Sequence, residues 1–491
     1  VNPLLLLDGY KTDHRSQYPK GTEYVYSNWT PRKSRIDGID EVVFFGLQYY
    51  MQRYLIDDMG EYFFSRPKGK VVDEYRETMD EYLGEGAVKC DHIADLHDLG
   101  YLPIRIKALP EGTLCPIQVP MLTMVNTLPD FFWLTNQLET SMSSCLWMPC
   151  TSATLAYQYR KAFNQYNAKV GIPSEAGRFQ GHDFSFRGLA FPEASMGSGA
   201  AHLTSFQGTD TVPAIKFVQK YYAKGSESSL ENGLIGCSVP ATEHSVMCMG
   251  GQDNEVGTYR RLINEVYPRG IVSIVSDTWD FWLLMTDGLR ALKSEIMARD
   301  GKVVIRPDSG DPVKIVCGDP DEPEGSPAYK GAYQCLWGTF GGEYKNGYKF
   351  LDKHVGLIYG DSITLQRQAA ILEGLLQKGF APEVVLGIGS YTYQYQTRDT
   401  FGFALKATYG VINGESKNIS KSPKTDKSGE KKSLCGRVSV HRNEAGKLYV
   451  LDKQDEAGEQ TGVLRTVFEN GKLLRSVSLA DVRYTLHGDN F

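Results

Sequence analysis

Three stretches that read as buried strands each run into an acid: GIVSIVSD (Gly270–Asp277), KVVIRPDSGD (Lys302–Asp311) and VGLIYGD (Val355–Asp361). Carboxylates at strand ends suit divalent metals and sugar hydroxyls, which are hard-oxygen chemistry. The plainer reading is that each acid caps a following helix. Recurrence of Asp277, Asp308 and Asp361 at successive strand ends favours a site. In the middle stretch Arg306 stands just ahead of the acid, and Pro307 restricts it to extended backbone. Gly310 permits the turn away, and Asp311 keeps the capping reading. A fourth run, EVVLGIGSY, ends in Gly389 and Ser390, whose backbone N–H groups could face a small anion. A Gly-x-Gly turn alone is weak, and neither a Walker A pattern nor GxGxxG is present.

Three further stretches carry reactive side chains. HDFSFRG (His182–Gly188) sets Phe184, Phe186 and Arg187 close together. Alternation places the two rings on one face and Arg187 opposite. An aromatic beside a guanidinium suits a flat heterocycle with a phosphate. A core ring beside a surface arginine explains the stretch equally well. SFQGTDTV places Asp210 in a turn, as a helix cap or as a carboxylate that reads a ligand. SVPATEHSV offers Glu243 and His244, and a lone histidine is more often structural than reactive.

These residues need elements to hold them. Continuous apolar strands separated by helical patterns such as TLQRQAAILEGLLQKG (Thr364–Gly379) imply βαβ units and a parallel sheet covered on both faces. In such folds the loops after the strand C-termini carry the site. The pattern predicts an irregular α/β barrel over 151–399, with 1–150 and 400–491 combining into an α+β sheet domain. Val42–Leu55 has helical spacing, and Tyr101–Thr127 reads as strands broken by Gly and Pro. Residues 312–350, rich in Gly, Tyr and acids, read as a partly irregular insertion. Lysine-rich 414–436 reads as a mobile surface loop, followed by hairpins turning at Glu444–Gly446 and Asn470–Gly471.

The 491 residues are 41% hydrophobic and 23% charged, and the formal charge of −6 argues against nucleic acid as a general partner. Nine cysteines without a CxxC pair imply reduced thiols, hence a cytoplasmic protein. The N-terminal four-leucine run is too short for a signal peptide, and no apolar run approaches a membrane span.

From Asp8 to Arg483 an ordered series of motifs resembles the nicotinamide phosphoribosyltransferase family, type II phosphoribosyltransferases. The series is DGYKTDHRSQYP, FFGLQY, HDFSFRG, FQGTDTV, ENGLIGCSVPATEHS, VSDTWD, RPDSGDP, YGD, TRD, GRVSVHR and LRTVFENGK. The resemblance implies joining nicotinamide to the ribose of 5-phosphoribosyl 1-pyrophosphate, with Mg²⁺ on the diphosphate and ATP as a coupled co-substrate. It implies that Phe184 stacks on the pyridine ring and that Tyr10 of a partner subunit covers the other face. Asp210 would accept the carboxamide N–H and repel the carboxylate of nicotinic acid, and Arg306 would reach the amide oxygen. Arg187, Ser273, Asp277 and Asp308 would line the ring and sugar. Gly360, Asp361, Gly389 and Ser390 would lie by the ribose and its 5′-phosphate. Arg32, Arg398 and Lys406 would meet phosphates from the second subunit of a homodimer, and Lys421 and Arg437 would close over them. His244 matches the histidine that ATP phosphorylates in the family. Three alternatives stay open: nicotinate as substrate, a non-catalytic extracellular signalling protein, and a sugar-phosphate barrel enzyme such as an aldolase. The last is disfavoured because no strand ends in a Schiff-base lysine.

Overall fold

The computed structural model describes residues 1–223, 233–421 and 434–491. It divides into two compact units, one of Val1–Thr154, Phe217–Gly233 and Gln396–Gly488, the other of Leu155–Lys216, Leu234–Tyr395 and Asp489–Phe491.

The second unit is built on a six-stranded parallel sheet. Its order is Gly208–Thr209, Gly181–Asp183, Val385–Ile388, Val355–Tyr359, Asp300–Arg306 and Arg269–Val275. The last two strands pair over seven residues, from Arg269 opposite Asp300 to Val275 opposite Arg306. Val272, Ile274, Val303, Ile305, Leu386 and Ile388 are fully buried, as a sheet covered on both faces requires. Cys237 bridges Gly208 at one sheet edge, and Ala241 bridges Ser273 at the other. The five-residue stretch between these bridges closes the sheet into an irregular barrel.

The first unit is a seven-stranded antiparallel sheet that unites the two ends of the chain. Its order is Glu415–Asn418, Ala404–Ile412, Thr22–Thr30, Leu122–Asn126, Ile104–Ala108, Arg465–Glu469 and Lys472–Leu473. Trp29, fully buried, stacks on Phe403 at 4.7 Å between centroids. Phe217–Gly233, which the sequence places in the barrel, groups with this unit. The cause is aromatic packing: Tyr222 stacks on Phe45 at 4.9 Å, and its hydroxyl donates to Glu111 at 2.8 Å.

Three local expectations need correction. Residues 312–350 are more regular than expected: helices Pro312–Cys317, Pro327–Lys330 and Ala332–Phe340 precede a hairpin, Gly342–Lys345 with Tyr348–Leu351, and only 318–326 is irregular as expected. The helix expected from Val42 begins at Leu47, because Glu41–Val43 pairs as a strand with Leu114–Pro116. The lysine-rich loop lies partly outside the described residues, at 422–433, and its start, Glu415–Asn418, is a strand. The hairpin turns at Gly446 and Asn470–Gly471 stand where expected.

Candidate active site

Every strand of the parallel sheet delivers a predicted residue just past its C-terminal end. Asp210 follows Gly208–Thr209, Phe184 follows Gly181–Asp183, and Gly389 and Ser390 follow Val385–Ile388. Gly360 and Asp361 follow Val355–Tyr359, Asp308 follows Asp300–Arg306, and Asp277 follows Arg269–Val275.

The acids do not share one role. Asp311 caps the helix Pro312–Cys317, its Oδ1 accepting from the backbone of Val313 and Lys314 at 2.9 and 3.1 Å. Thr364 performs that service for Leu365–Gln377, and Asp280 for Phe281–Leu283. Asp277 instead braces the neighbouring loop. Its Oδ2 accepts from the backbone N–H of Asp308 at 2.8 Å and of Ser309 at 2.7 Å, and from the Ser309 hydroxyl at 2.5 Å. Its Oδ1 is buried with no hydrogen-bond partner, 3.8 Å from His244 Nε2. The loop is tied from the other side by Tyr359, whose hydroxyl donates to the Gly310 carbonyl at 2.8 Å.

Asp308 is therefore fixed by its backbone while its carboxylate stays under-satisfied. Its Oδ1 is buried and unpartnered, and its Oδ2 lies 3.7 Å from Arg306 Nε. Burial pushes its carboxyl above the usual range; Arg306 opposes this, and Asp277 adds to it. Gly360 makes room for the side chain, since a Cβ there would stand 2.0 Å from Asp308 Oδ1. Arg306 donates through Nη2 to the Thr242 carbonyl, and its Nε, in the ion pair with Asp308, makes no hydrogen bond. Its backbone N–H donates to Ser276 Oγ at 3.1 Å. Ser273 lies within its strand, buried, its hydroxyl unpartnered.

Asp210 is not a helix cap. Its Oδ1 accepts from His182 Nε2 at 2.8 Å and from Ser238 Oγ at 2.6 Å. Burial alone would raise its carboxyl, but the His182 and Ser238 hydrogen bonds, with Arg306 nearby, hold it below the usual range. The Phe184 ring lies 4.7 Å from His182, tilted by 42°. Phe184 and Phe186 do not alternate on one strand face as expected: the strand ends at Asp183, and Phe186–Gly188 is a 3-10 turn that leaves Phe186 and Arg187 exposed. His244 opens the helix His244–Gly250, and its Nδ1 lies 3.0 Å from Thr278 Oγ1. Two residues of this site, His182 and Ser238, were missed from the sequence although both lie inside the quoted motifs. The available signal was the i, i+2 spacing of His182 and Phe184.

The remaining predicted residues belong to the first unit. Tyr10 is 66% exposed, with the Lys11 ammonium 4.9 Å from its ring. Arg32 donates through Nε to the Gly402 carbonyl at 2.8 Å, and burial, then the Arg398 cation, lowers its guanidinium below the usual range. Lys406 is lowered by the protein packed around it and then by Arg32, Lys11 and Lys421, against the pull of Glu139. Arg437 is drawn elsewhere, 3.6 Å from Glu456 and over the Tyr409 ring at 4.6 Å.

A barrel with charged strand ends, in a chain that also builds an antiparallel sheet unit, is the fold of a nicotinate-type phosphoribosyltransferase. The chain belongs to the nicotinate phosphoribosyltransferase (NAPRTase) family, whose profile matches residues 179–472. Residues 2–106 match the N-terminal domain of nicotinamide phosphoribosyltransferase. The chain is 54% identical to the nicotinamide phosphoribosyltransferase of Acinetobacter baylyi, over 99% of this chain and 97% of that protein. It is 33% identical to the enzyme of the same name from Xanthomonas campestris, over 98% and 97%. A nicotinate-nucleotide pyrophosphorylase from Pyrococcus furiosus shares the fold, with TM-score 0.58 and 15% identity over 99% of this chain and 95% of that one.

Proposed function

We propose that this chain transfers the phosphoribosyl group of 5-phosphoribosyl 1-pyrophosphate to nicotinamide, giving nicotinamide mononucleotide and pyrophosphate. The observation that carries the reading is the Asp210 carboxylate, held ionised near the Phe184 ring platform through their shared neighbour His182. An ionised carboxylate accepts an amide N–H and repels a second carboxylate, so it selects nicotinamide over nicotinic acid. Nicotinate use is the second reading, favoured only by the family's own name.

In the reaction the pyridine nitrogen forms the bond to ribose C1 as the C1–O bond to pyrophosphate breaks, the electron pair leaving with the diphosphate. Positive charge develops on the sugar, as at other glycosyl centres. Asp308 and Asp277 sit where a sugar would meet the barrel rim, and their unpartnered oxygens are available to its hydroxyls or its charge. Catalysis rests on positioning and on charge stabilisation. No three His, Cys, Asp or Glu side chains among the described residues gather into a metal site. Asp277 and Asp308 offer the unpartnered oxygens that would hold Mg²⁺ on the diphosphate, where it would supply neutralisation of the leaving group's charge.

His244, half exposed and beside Asp277, is the acceptor for the γ-phosphoryl group of ATP, with ADP as the leaving product. Tyr10 and the Arg32, Arg398 and Lys406 cations come from a partner copy in a homodimer, with Lys421 as an outer phosphate contact that Arg437 joins only by leaving Glu456. The nine free cysteines suit the reducing cytoplasm, and no helix among the described residues is long and apolar enough to cross a membrane.

The test is incubation with nicotinamide, phosphoribosyl pyrophosphate and Mg²⁺, with product read by chromatography. The mononucleotide is expected; no product with or without ATP overturns the reading. Asp210→Asn is expected to narrow the preference for nicotinamide over nicotinic acid by about tenfold or more, the scale of one charge-dependent contact.

A further inference from the structure

The least explained part of the pocket is the pair of donors on Asp210. His182 Nε2 and Ser238 Oγ converge on the same oxygen, Oδ1, at 2.8 and 2.6 Å. Asp210 Oδ2 receives no hydrogen bond among the described residues, and the side chain is 42% exposed. The carboxylate is thus clamped by one oxygen and presents the other.

The clamp is built deliberately into the backbone. Gly208 pairs in register with His182, and a Cβ on Gly208 would stand 2.8 Å from His182 Nδ1. A side chain at 208 would crowd the imidazole and shift the ring that extends Nε2 to Asp210. Ser238 arrives from the closing stretch of the barrel, whose neighbour Cys237 bridges Gly208. That stretch ends at Thr242, whose carbonyl takes the Arg306 guanidinium and whose hydroxyl accepts from the Val275 N–H at 2.9 Å. One short segment therefore orients both Asp210 and Arg306. His182 also touches the Phe184 ring, so it couples the ring platform to the carboxylate.

We infer that His182 and Ser238 are positioning residues that set specificity for the amide. Two donors spent on Oδ1 fix the rotation of the carboxylate and keep it ionised, so that Oδ2 meets an N–H donor from the ring substituent. His182 must carry a proton on Nε2 to serve, because its partner is an ionised acceptor. A carboxylate freed of both donors rotates and takes up a proton more readily, and a protonated Asp210 no longer repels an acid. The inference rests on the reading of this pocket as a nicotinamide site.

The experiment compares steady-state kinetics of the full chain with nicotinamide and with nicotinic acid, for the parent, His182→Ala, His182→Gln, Ser238→Ala and His182→Ala/Ser238→Ala. Expected are an increase of about tenfold in KM for nicotinamide in each alanine variant, with KM for phosphoribosyl pyrophosphate within about twofold of the parent. The amide-to-acid ratio of kcat/KM should fall in both single variants and fall further in the double. His182→Gln, which keeps an N–H donor, should recover part of the ratio; loss of a residue that merely supported the fold would lower kcat for both substrates alike, leaving the ratio unchanged and without this rescue. An unchanged ratio in the double variant, with the parent active on nicotinamide, overturns the clamp alone. A parent inactive on nicotinamide overturns the functional reading instead.

Discussion

Asp308 of the barrel unit and Lys406 of the sheet unit are in mirrored circumstances. Burial and Asp277 push the Asp308 carboxyl up, against Arg306. Surrounding protein and the cations Arg32, Lys11 and Lys421 push the Lys406 ammonium down, against Glu139. Each charge sits among its own kind with too little counter-charge. Their supports differ. Asp308 is one residue past Pro307 on a loop braced by Asp277 and Tyr359, so its position is set by backbone hydrogen bonds. Lys406 reaches out on a long flexible stem from an antiparallel strand. A short, braced carboxylate can stabilise a charge at one point in space, whereas a cluster of long cations supplies attraction to a polyanion wherever it settles.

The contrast is open to attack in order of expected effect. Asp308→Asn keeps the shape and removes the charge, and kcat should fall about a hundredfold or more, with KM for nicotinamide little changed. Retention of kcat in a steady-state assay would break the comparison at its stronger end. Lys406→Ala should raise KM for phosphoribosyl pyrophosphate about tenfold and leave kcat within about twofold, a loss that added salt should blunt. Equal losses in kcat and kcat/KM would show that Lys406 acts in the transition state, the role expected of Asp308.

The smallest effect is a control on buried charge with no ligand to meet. His92, packed edge-on against Trp133 at 4.6 Å, has its imidazole pushed down to about 3 by burial, with Arg15 adding and a backbone hydrogen bond opposing. Its ordinary value is about 6.5, so between those limits the unfolded chain binds the proton and the folded chain does not. This stability is complete above pH 6.5 and is lost as the pH falls toward 3. Thermal melts at pH 7.5 and 4.5 should show a drop in Tm that His92→Phe reduces by roughly 2 °C. An identical drop in both would mean that His92 does not report burial.

The strands were legible wherever β-branched residues ran without interruption, because a sheet covered on both faces needs no alternation. The strand-end acids were legible for the same reason: each breaks an apolar run abruptly. The helices of 312–350 were not. Pro312 and Pro327 sit in first turns, and Gly318, Gly331 and Gly341 at helix ends, so residues that read as breakers are terminators of short helices. His182 and Ser238 escaped notice because Asp210 lies 28 residues from each, in opposite directions along the chain. Parallel pairing brings them together, and no local period records it. Asp308 and Asp311 differ by three positions, and the capping reading the sequence kept for Asp311 holds; the hydrogen bonds add that Asp308 keeps an unpartnered carboxylate oxygen.

The barrel's last wall is pinned at Cys237 and Ala241 and does not run as a continuous ladder. A laddered strand that slips by one residue turns every side chain to the opposite face. Two separate pins impose no such all-or-none phase. Side chains between them can change one at a time, and Pro240 can stand there, its missing N–H uncalled for while its carbonyl accepts from Ser273 at 2.9 Å. The segment is in effect an adjustable clasp, and the side chains it presents beside Asp210 and Arg306 can change through it while the six-stranded sheet keeps its registration.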